Sequence, residues 1–452
     1  MIAVIMAGGK GTRISSVTSD IPKPMIPVDG MPVIEYQIGR LRTQGIKDII
    51  ITVSHKKEVI MDYFGDGKKI SPVTGKPFDV NLSYYEEEMP LGNAGALFRL
   101  RDRLSSDFLL INADVVFDID VERFVDFHKS TGGIATLFTH PNNHPYDSGL
   151  ILAGKDKTLN AWLSKEDRRP KYYKNRVNSG LHIMSPKILD ITSGRFIKAY
   201  GHLPEQVDLD RDVLKPLAGT GMMYCYDSCE YVRDMGTPKR YEQVCRDMAG
   251  GRISRKNLRE KQKAIFLDRD GTINKEAGFL SDIDRFELLP GIGEAVQKIN
   301  QSGYLAIVIT NQPVIARGEL SVEGLEEIHN KMETLLGKAG AYLDGIYYCP
   351  HHPHSGYEGE VRRLKTDCDC RKPKPGMLYT AAEAFHIDLK NSWIIGNGER
   401  DIAAGRSAGC KTALIGKEGF GQDVSVDSLP EAVQMILEEE KVKDAEAVEI
   451  HR

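Results

Sequence analysis

The chain has 452 residues, of which 41% are apolar and 27% charged, and a formal net charge of −4 at pH 7. Its length predicts about two to four domains, and the composition is ordinary for a globular chain. The small negative charge gives no general attraction to nucleic acid or to an anionic membrane, and no apolar run approaches the roughly 20 residues that span a bilayer. Seven cysteines are an odd number, and three of them crowd near His351. That pattern predicts a metal site in a reducing compartment instead of disulfides, and so a cytoplasmic protein.

The first stretch, Met1 to Met6, is apolar but has no basic residues before it, and a glycine loop follows. It reads as a first strand, not a signal peptide. The loop Ala7-Gly8-Gly9-Lys10-Gly11-Thr12-Arg13 lets backbone N–H groups approach a phosphate, with Lys10 and Arg13 adding charge. Ile21 to Val28 carries three prolines, which stiffen an extended segment and leave Lys23 projecting as a second phosphate clamp. Leu109 to Asp114 is an apolar strand ending in an acid. The Lys-, Arg- and Tyr-rich stretch from Asn160 to Val177 is expected to be a solvated basic hairpin. Asp208, Asp210 and Asp212 suit the positive end of a helix. Cys225, Cys229 and Cys245 lack metal spacing and are expected to be buried or inert.

Residues 246–262 turn polar and charged, as a linker does. A new apolar strand, Lys263 to Leu267, then ends at Asp268-Arg269-Asp270-Gly271-Thr272. Active sites of open α/β sheets form beyond the carboxyl ends of strands, and Gly271 permits the turn that aims both carboxylates at one point. One could attack phosphorus to form an aspartyl phosphate while the other handles protons. Strand Leu305 to Ile309 ends at Thr310-Asn311-Gln312, where a hydroxyl can donate to phosphate. Cys349-x-His351 and Cys368-x-Cys370 together offer three thiolates and one imidazole, a closed tetrahedral set for Zn²⁺ that would tie down the insert between them. His352 and His354 are expected to be solvated. Arg371-Lys372-Pro373-Lys374-Pro375 places cations on a stiff segment, and Ser392 to Gly396 is a further strand, ending at Asn397. From Leu429 the chain reads as a C-terminal helix and solvated tail.

Gly8-Gly9-x-Gly11-Thr12-Arg13 with Pro22-Lys23-Pro24-Met25-Ile26-Pro27-Val28 resembles the signature of the sugar-1-phosphate nucleotidyltransferases. Leu91-Gly92-Asn93-Ala94-Gly95-Ala96 resembles their L-G-T-A-G-A base and sugar loop, with Asn93 in place of Thr. Asn112-Ala113-Asp114 resembles their N-G-D, Asn178-Ser179-Gly180 their sugar-binding N-x-G, and Asp234-Met235-Gly236-Thr237-Pro238 their D-x-G-T-P. The resemblance covers residues 1–245 and implies a Rossmann-like α/β domain with a mixed sheet. It implies Mg²⁺ at Asp114 and Asp234, phosphate neutralisation by Arg13 and Lys23, and substrate contacts from Gly8, Gly9, Gly11, Thr12, Gly92, Asn93 and Asn178. A sugar 1-phosphate attacking a nucleoside triphosphate brings two anions together, so such a site needs cations more than a strong base.

In residues 263–420 the order of acid pair, Thr, Lys and strand-end acids is similar to the haloacid dehalogenase phosphatases. That resemblance implies Asp268 as nucleophile, Asp270 as acid/base, Thr310 and Lys372 on the phosphate, and Mg²⁺ held with late acids such as Asp401; Asn311 is an expected substrate contact. Asn397 departs from it by standing where a metal carboxylate belongs. An amide oxygen can ligate Mg²⁺ but brings no charge, so either the phosphatase is impaired or Glu399 or Asp401 compensates. With the Cys/His cluster, T-N-Q and C-R-K-P-K-P-G-M, the segment resembles the heptose 1,7-bisphosphate and histidinol-phosphate phosphatases. Arg371 would then contact a distal phosphate. Pro313-Val314 replaces their Ser-Gly.

The expected architecture is thus α/β in two domains, 1–245 and a haloacid dehalogenase-like Rossmannoid domain at 263–420 with a zinc-bound loop, joined by linker 246–262 and followed by helix and tail 421–452. The expected function is bifunctional: release of the 7-phosphate of a heptose 1,7-bisphosphate, then transfer of GMP from GTP to heptose 1-phosphate. GTP and heptose phosphates are the expected partners, Mg²⁺ and Zn²⁺ the cofactors, and homo-oligomerisation stays open. The alternatives are a mannose- or glucose-1-phosphate transferase fused to another sugar phosphatase, and a transferase carrying a phosphatase-like binding module.

Overall fold

The computed structural model describes residues 1–9, 21–356 and 358–450, with side chains as far as Val442. The chain forms two compact units. One comprises Met1–His140, Gly149–Ser164 and Val177–Asn257, and the other Pro141–Ser148, Lys165–Arg176 and Leu258–Arg452. These bounds differ from a simple division near residue 250. The expected linker up to Asn257 lies in the first unit, where Ile253 is buried and Asn257 donates to buried Asp118 at 2.7 Å.

The first unit is built on a nine-stranded mixed sheet. Strands β1 (Ile2–Met6), β2 (Asp48–Val53), β3 (Asn81–Glu86) and β4 (Phe108–Asn112) run parallel in the order β4-β1-β2-β3. A short strand, β5 (Val115–Asp118), follows β4. Strands β6 (Ala135–His140), β7 (Leu150–Ala153), β8 (Leu159–Leu163), β9 (Val177–Met184) and β10 (Met223–Asp227) complete the sheet. Strand β9 runs antiparallel to β4 and introduces the mixed character. A separate ribbon pairs β5 with β11 (Tyr231–Asp234). Met6 lies level with Thr52 and Asn112, so β1 and β4 deliver Ala7-Gly8 and Ala113-Asp114 to one edge of the sheet. The inner strands are apolar on both faces, as parallel strands covered on both sides must be. His182 on β9 is fully buried with no partner among the described residues at either ring nitrogen, and burial pushes its pKa down to about 3.

The second unit carries a six-stranded parallel sheet. Its strands are β12 (Lys263–Leu267), β13 (Tyr304–Asn311), β14 (Gly345–Cys349), β15 (Trp393–Gly396), β16 (Lys411–Ile415) and β17 (Val424–Val426). Their order is β14-β13-β12-β15-β16-β17. The direction of winding reverses beside β12, and such a switch point opens a crevice at the carboxyl ends of the strands. Asp268 stands there. Helices α1 (Val322–Lys338), α2 (Glu399–Ala408) and α3 (Leu429–Ile450) belong to this unit.

The basic stretch expected as a solvated hairpin is partly buried instead. Arg176 and Glu333 of α1 form an ion pair at 3.3 Å with side chains 7% and 2% exposed, and the backbone N–H of Asn175 donates to the same carboxylate at 3.0 Å. The acid that permits this burial is far away in sequence, so local composition gave no sign of it. Among the described residues no helix is long and apolar enough to cross a membrane.

Candidate active sites

In the first unit a cleft of about 510 Å³ opens at the edge where β1 and β4 end. Gly8, Gly9, Lys23, Gly92, Asn93 and Asp114 all line it. Lys23, on a proline-framed turn, forms an ion pair with Asp114. Gly92 has φ of +77°, and a Cβ there would stand 2.4 Å from the Val207 carbonyl oxygen; only glycine fits both demands. The Asn93 side chain is already engaged, because its Oδ1 accepts from the Leu209 N–H at 2.6 Å. It anchors the loop to the helical turn Leu209–Leu214, which Asp208 caps by accepting from the Arg211 N–H. Asn178 turns its Oδ1 onto the Gly180 N–H at 3.4 Å. Gly180 lets β9 pass over Asn112, whose Nδ2 lies 2.4 Å from where a Cβ would be. Lys10, Gly11, Thr12 and Arg13 lie outside the described residues.

Asp234 ends β11, opposite Val115, and the Met235 N–H donates to the Asp114 carbonyl at 2.9 Å. The Asp234 carboxylate is held by Arg240 at 3.0 and 3.2 Å and by the Gly236 N–H at 2.8 Å. Thr237 caps the following helix, which begins with Pro238. Two carboxylates, each paired with a displaceable cation, suit Mg²⁺, which takes one or two protein oxygens and keeps its other positions for water and phosphate.

Glu87 also lines this cleft and has no counterpart among the expected residues. A Cβ on Gly8 would lie 2.5 Å from its Oε1. The one hydrogen bond to its carboxylate among the described residues is a long 3.5 Å contact from the Leu91 N–H, and burial raises its pKa. A run of three glutamates concealed it, because nothing local distinguishes the one that faces the cleft.

In the second unit the strand-end residues converge. Lys372 is buried, with its Nζ 2.7 Å from Asp268 Oδ1, 2.6 Å from Asp401 Oδ1 and 2.8 Å from the Ile309 carbonyl. Burial pushes the Asp268 pKa up to about 6; Lys372 opposes that shift and Asp401 adds to it. Thr310 Oγ1 accepts from Gln312 Nε2 at 2.9 Å, which leaves the hydroxyl proton to donate elsewhere. Asn311 exchanges hydrogen bonds with the Lys372 backbone at 2.9 and 3.0 Å, so its side chain fixes the lysine segment and keeps one Nδ2–H to donate. Asp270 accepts from Arg269 at 2.9 Å through both oxygens, from Asn274 at 3.0 Å and from Gln312 at 2.8 Å. Arg269 is fully buried and lies 3.3 Å from His329 Nε2; burial, then this guanidinium, hold the His329 pKa well below its ordinary value. Arg269 and Gln312 were legible as sequence, but their shared grip on Asp270 was not.

Gly271 has φ of +76°, and a Cβ there would stand 2.1 Å from Asn397 Nδ2. Asn397 Oδ1 is buried with no hydrogen-bond partner among the described residues. An unspent carbonyl-type oxygen on a side chain packed against Gly271, the residue after Asp270, fits a hard cation such as Mg²⁺. Glu399 is exposed, and Asp401 is committed to Lys372 and to the Gly398 N–H at 3.2 Å. Val314 packs with Ile315 and Leu325 in a small apolar cluster, which absorbs the Pro313-Val314 departure.

Cys349, His351, Cys368 and Cys370 bring one ligand atom each to within 4.8 Å of one another. The shorter separations are 3.3–3.6 Å, against about 3.5–3.8 Å for a tetrahedron drawn from ordinary Zn–N and Zn–S bonds. His352 instead accepts from the His354 N–H at 3.2 Å. Arg371 donates to the His351 carbonyl at 3.1 Å.

The family model described as nucleotidyl transferase matches residues 2–250, more than half the chain, and the HAD-hydrolase-like model matches 369–438. The D-glycero-beta-D-manno-heptose-1,7-bisphosphate 7-phosphatase of Pasteurella multocida is 44% identical over 158 residues, 35% of this chain and 83% of that protein. Its namesake in Escherichia coli K12 is 41% identical over 156 residues, 34% of this chain and 80% of the relative. HddC from Yersinia pseudotuberculosis superposes with a TM-score of 0.45 at 24% identity, over 55% of this chain and 99% of its own. The chain belongs to the nucleotidyl transferase family and continues as a HAD-type phosphatase, and so is a bifunctional enzyme.

Proposed function

We propose that the protein makes GDP-D-glycero-α-D-manno-heptose. Its second unit removes the 7-phosphate of D-glycero-D-manno-heptose 1,7-bisphosphate, and its first unit joins the heptose 1-phosphate to GMP from GTP, releasing pyrophosphate. The observation that carries the reading is the buried Asp268–Lys372–Asp401 cluster at the switch point, in a segment 44% identical to a heptose-bisphosphate 7-phosphatase. The α anomer is inferred from the pairing with a guanylyl carrier.

In the phosphatase half Lys372 holds Asp268 Oδ1, leaving Oδ2 to attack phosphorus in line with the leaving sugar oxygen. Lys372 and the Thr310 hydroxyl balance charge on the phosphoryl oxygens. Asp270 protonates the leaving alkoxide and then takes a proton from the water that opens the aspartyl phosphate. Asp268, Asp270 and Asn397 would hold Mg²⁺, which when bound supplies positive charge to the transferring phosphoryl group. Cys349, His351, Cys368 and Cys370 would hold Zn²⁺ as a structural clamp, placing Arg371 near a distal phosphate.

In the transferase half Lys23 exchanges Asp114 for phosphate oxygens when substrate enters. Gly8 and Gly9 line the same cleft, and Asp114 and Asp234 would hold Mg²⁺. Glu87 supports guanine as the base: the N1–H and N2–H₂ edge presents adjacent donors, and a half-buried carboxylate with free lone pairs accepts both. The catalytic residues lie within 1–245 and 263–420, on either side of the 246–262 connection.

The test is ³¹P NMR of the full chain with each anomer of heptose 1,7-bisphosphate, GTP and Mg²⁺. Loss of the C7 phosphate signal followed by new pyrophosphate-diester signals is expected for the α anomer. Nucleotide-sugar formation from mannose 1-phosphate but not from heptose 1-phosphate would overturn the reading.

A further inference from the structure

Asn397 leaves the phosphatase centre one negative charge short. The two acids closest to it in sequence do not supply the deficit, because Asp401 is committed to Lys372 and Glu399 is exposed at the start of α2. The structure brings a third acid to the position. Glu276 follows the Asp268-x-Asp270 turn, and its Oε1 accepts from the Gly278 N–H at 3.0 Å. Its Oε2 points back over the turn, 3.3 Å from the point a Gly271 Cβ would occupy, and Asn397 Nδ2 lies 2.1 Å from that same point. Carboxylate and amide therefore converge across one glycine.

This juxtaposition has two consequences. A carboxylate attracts the NH₂ end of an amide and repels its oxygen, so Glu276 favours the Asn397 orientation in which Nδ2 faces Glu276. Oδ1 then faces inward, where it is buried without a partner among the described residues. The negative charge missing from residue 397 also reappears just beyond it. An aspartate at 397 would instead set two carboxylates against each other across Gly271, which is unfavourable unless a cation stands between them.

We propose that Glu276 is the positioning residue of the phosphatase cation site: it orients Asn397 so that Oδ1 faces the cation and supplies the charge that residue 397 lacks. The proposal rests on the phosphatase reading of the second unit. It makes Asn397 and Glu276 a matched pair in which charge has moved from one side chain to its neighbour.

The test is titration calorimetry of Mg²⁺ into the full chain without nucleotide, with Asp268→Asn identifying the component that belongs to the second unit. Glu276→Gln is expected to weaken that component by about tenfold, the effect of one nearby charge on a divalent cation in a partly solvated site. Adding Asn397→Asp to Glu276→Gln is expected to restore affinity to within about threefold of the parent, because the charge then returns to residue 397. Glu276 is exposed, so its substitution leaves the fold intact, and the unfolding midpoint checks this. Unchanged Mg²⁺ affinity in Glu276→Gln, or no recovery in the double variant, overturns the pairing while leaving the phosphatase reading in place. Absence of any Asp268-dependent Mg²⁺ binding in the parent overturns both.

Discussion

Replacing Lys372 with Met removes the cation that two buried carboxylates share. The lysine and Asp401 side chains are fully buried and Asp268 is 4% exposed. At 2.7 and 2.6 Å, each contact has a gross attraction of about 6 kcal/mol at an effective dielectric of 20. Desolvation of the three groups cancels most of this, and the net loss on removing one partner of a buried pair is about 3–5 kcal/mol. The loss depends on pH. The Asp268 pKa, already raised to about 6 by burial, rises further without Lys372, so the folded variant binds this proton more tightly than the unfolded chain does. Its stability therefore falls as pH rises through the folded pKa, and the deficit is larger at pH 8 than at pH 5. The chain has two tryptophans, and Trp393, 4% exposed on β15, reports this unit. Urea unfolding followed by Trp393 in a Trp162→Phe background measures the effect. A difference under about 1 kcal/mol at pH 8, or one that does not grow between pH 5 and 8, would refute buried charge compensation as the role of Lys372.

His182 is buried without partners among the described residues and its pKa is held near 3, so the unfolded chain takes up a proton first as pH falls below about 6.5. Its contribution to stability is complete above that pH and falls by about 2 kcal/mol by pH 5; His182→Leu should remove this increment from the acid unfolding curve of the first unit. Glu87→Gln replaces one acceptor oxygen with a donor, and should lower kcat/KM for GTP by about 10²-fold relative to UTP; an unchanged ratio in a pyrophosphate-release assay would remove Glu87 from base recognition. Stripping metal with a thiophilic chelator, or Cys368→Ser, should eliminate one equivalent of zinc by atomic absorption and reduce phosphatase activity while guanylyl transfer persists.

The strands and their terminal chemistry were legible because both are local. Lys263 to Leu267 is a short apolar run whose carboxyl end must carry the next residues out of the sheet, and Asp268, Thr310 and Asn397 follow three such runs. The Cys/His spacing likewise identifies a ligand set without knowledge of the fold. Pairings between distant segments were not legible. Asn93 reads as a substrate contact and lines the cleft, but its Oδ1 also holds the Leu209 N–H. Asn311 reads as a substrate contact, but its side chain also joins the backbone of Lys372 from both sides. Arg176 reads as a solvated cation until Glu333 neutralises it. In each case a polar side chain advertises unused hydrogen-bonding capacity, and only the folded chain shows where that capacity is spent.

In the proposed reactions each active site meets phosphoryl groups with a lysine paired to an aspartate, and burial divides the two pairs. Lys23 and Asp114 are 15% and 22% exposed at the wall of an open cleft. A pair in that environment is worth little in itself, so a polyphosphate can displace the carboxylate and take the ammonium at small cost. Lys372 is fully enclosed, and its third contact is a backbone carbonyl. Pulling it out would strand Asp268 and Asp401, so it stays fixed while substrate comes to it. The difference follows the chemistry proposed for each half. A transferase must admit and release two large anions in every cycle, so its charges must be exchangeable. A phosphatase that forms a covalent aspartyl phosphate must hold its nucleophile in one orientation through both displacements, and a rigid buried cation does that better than a mobile exposed one.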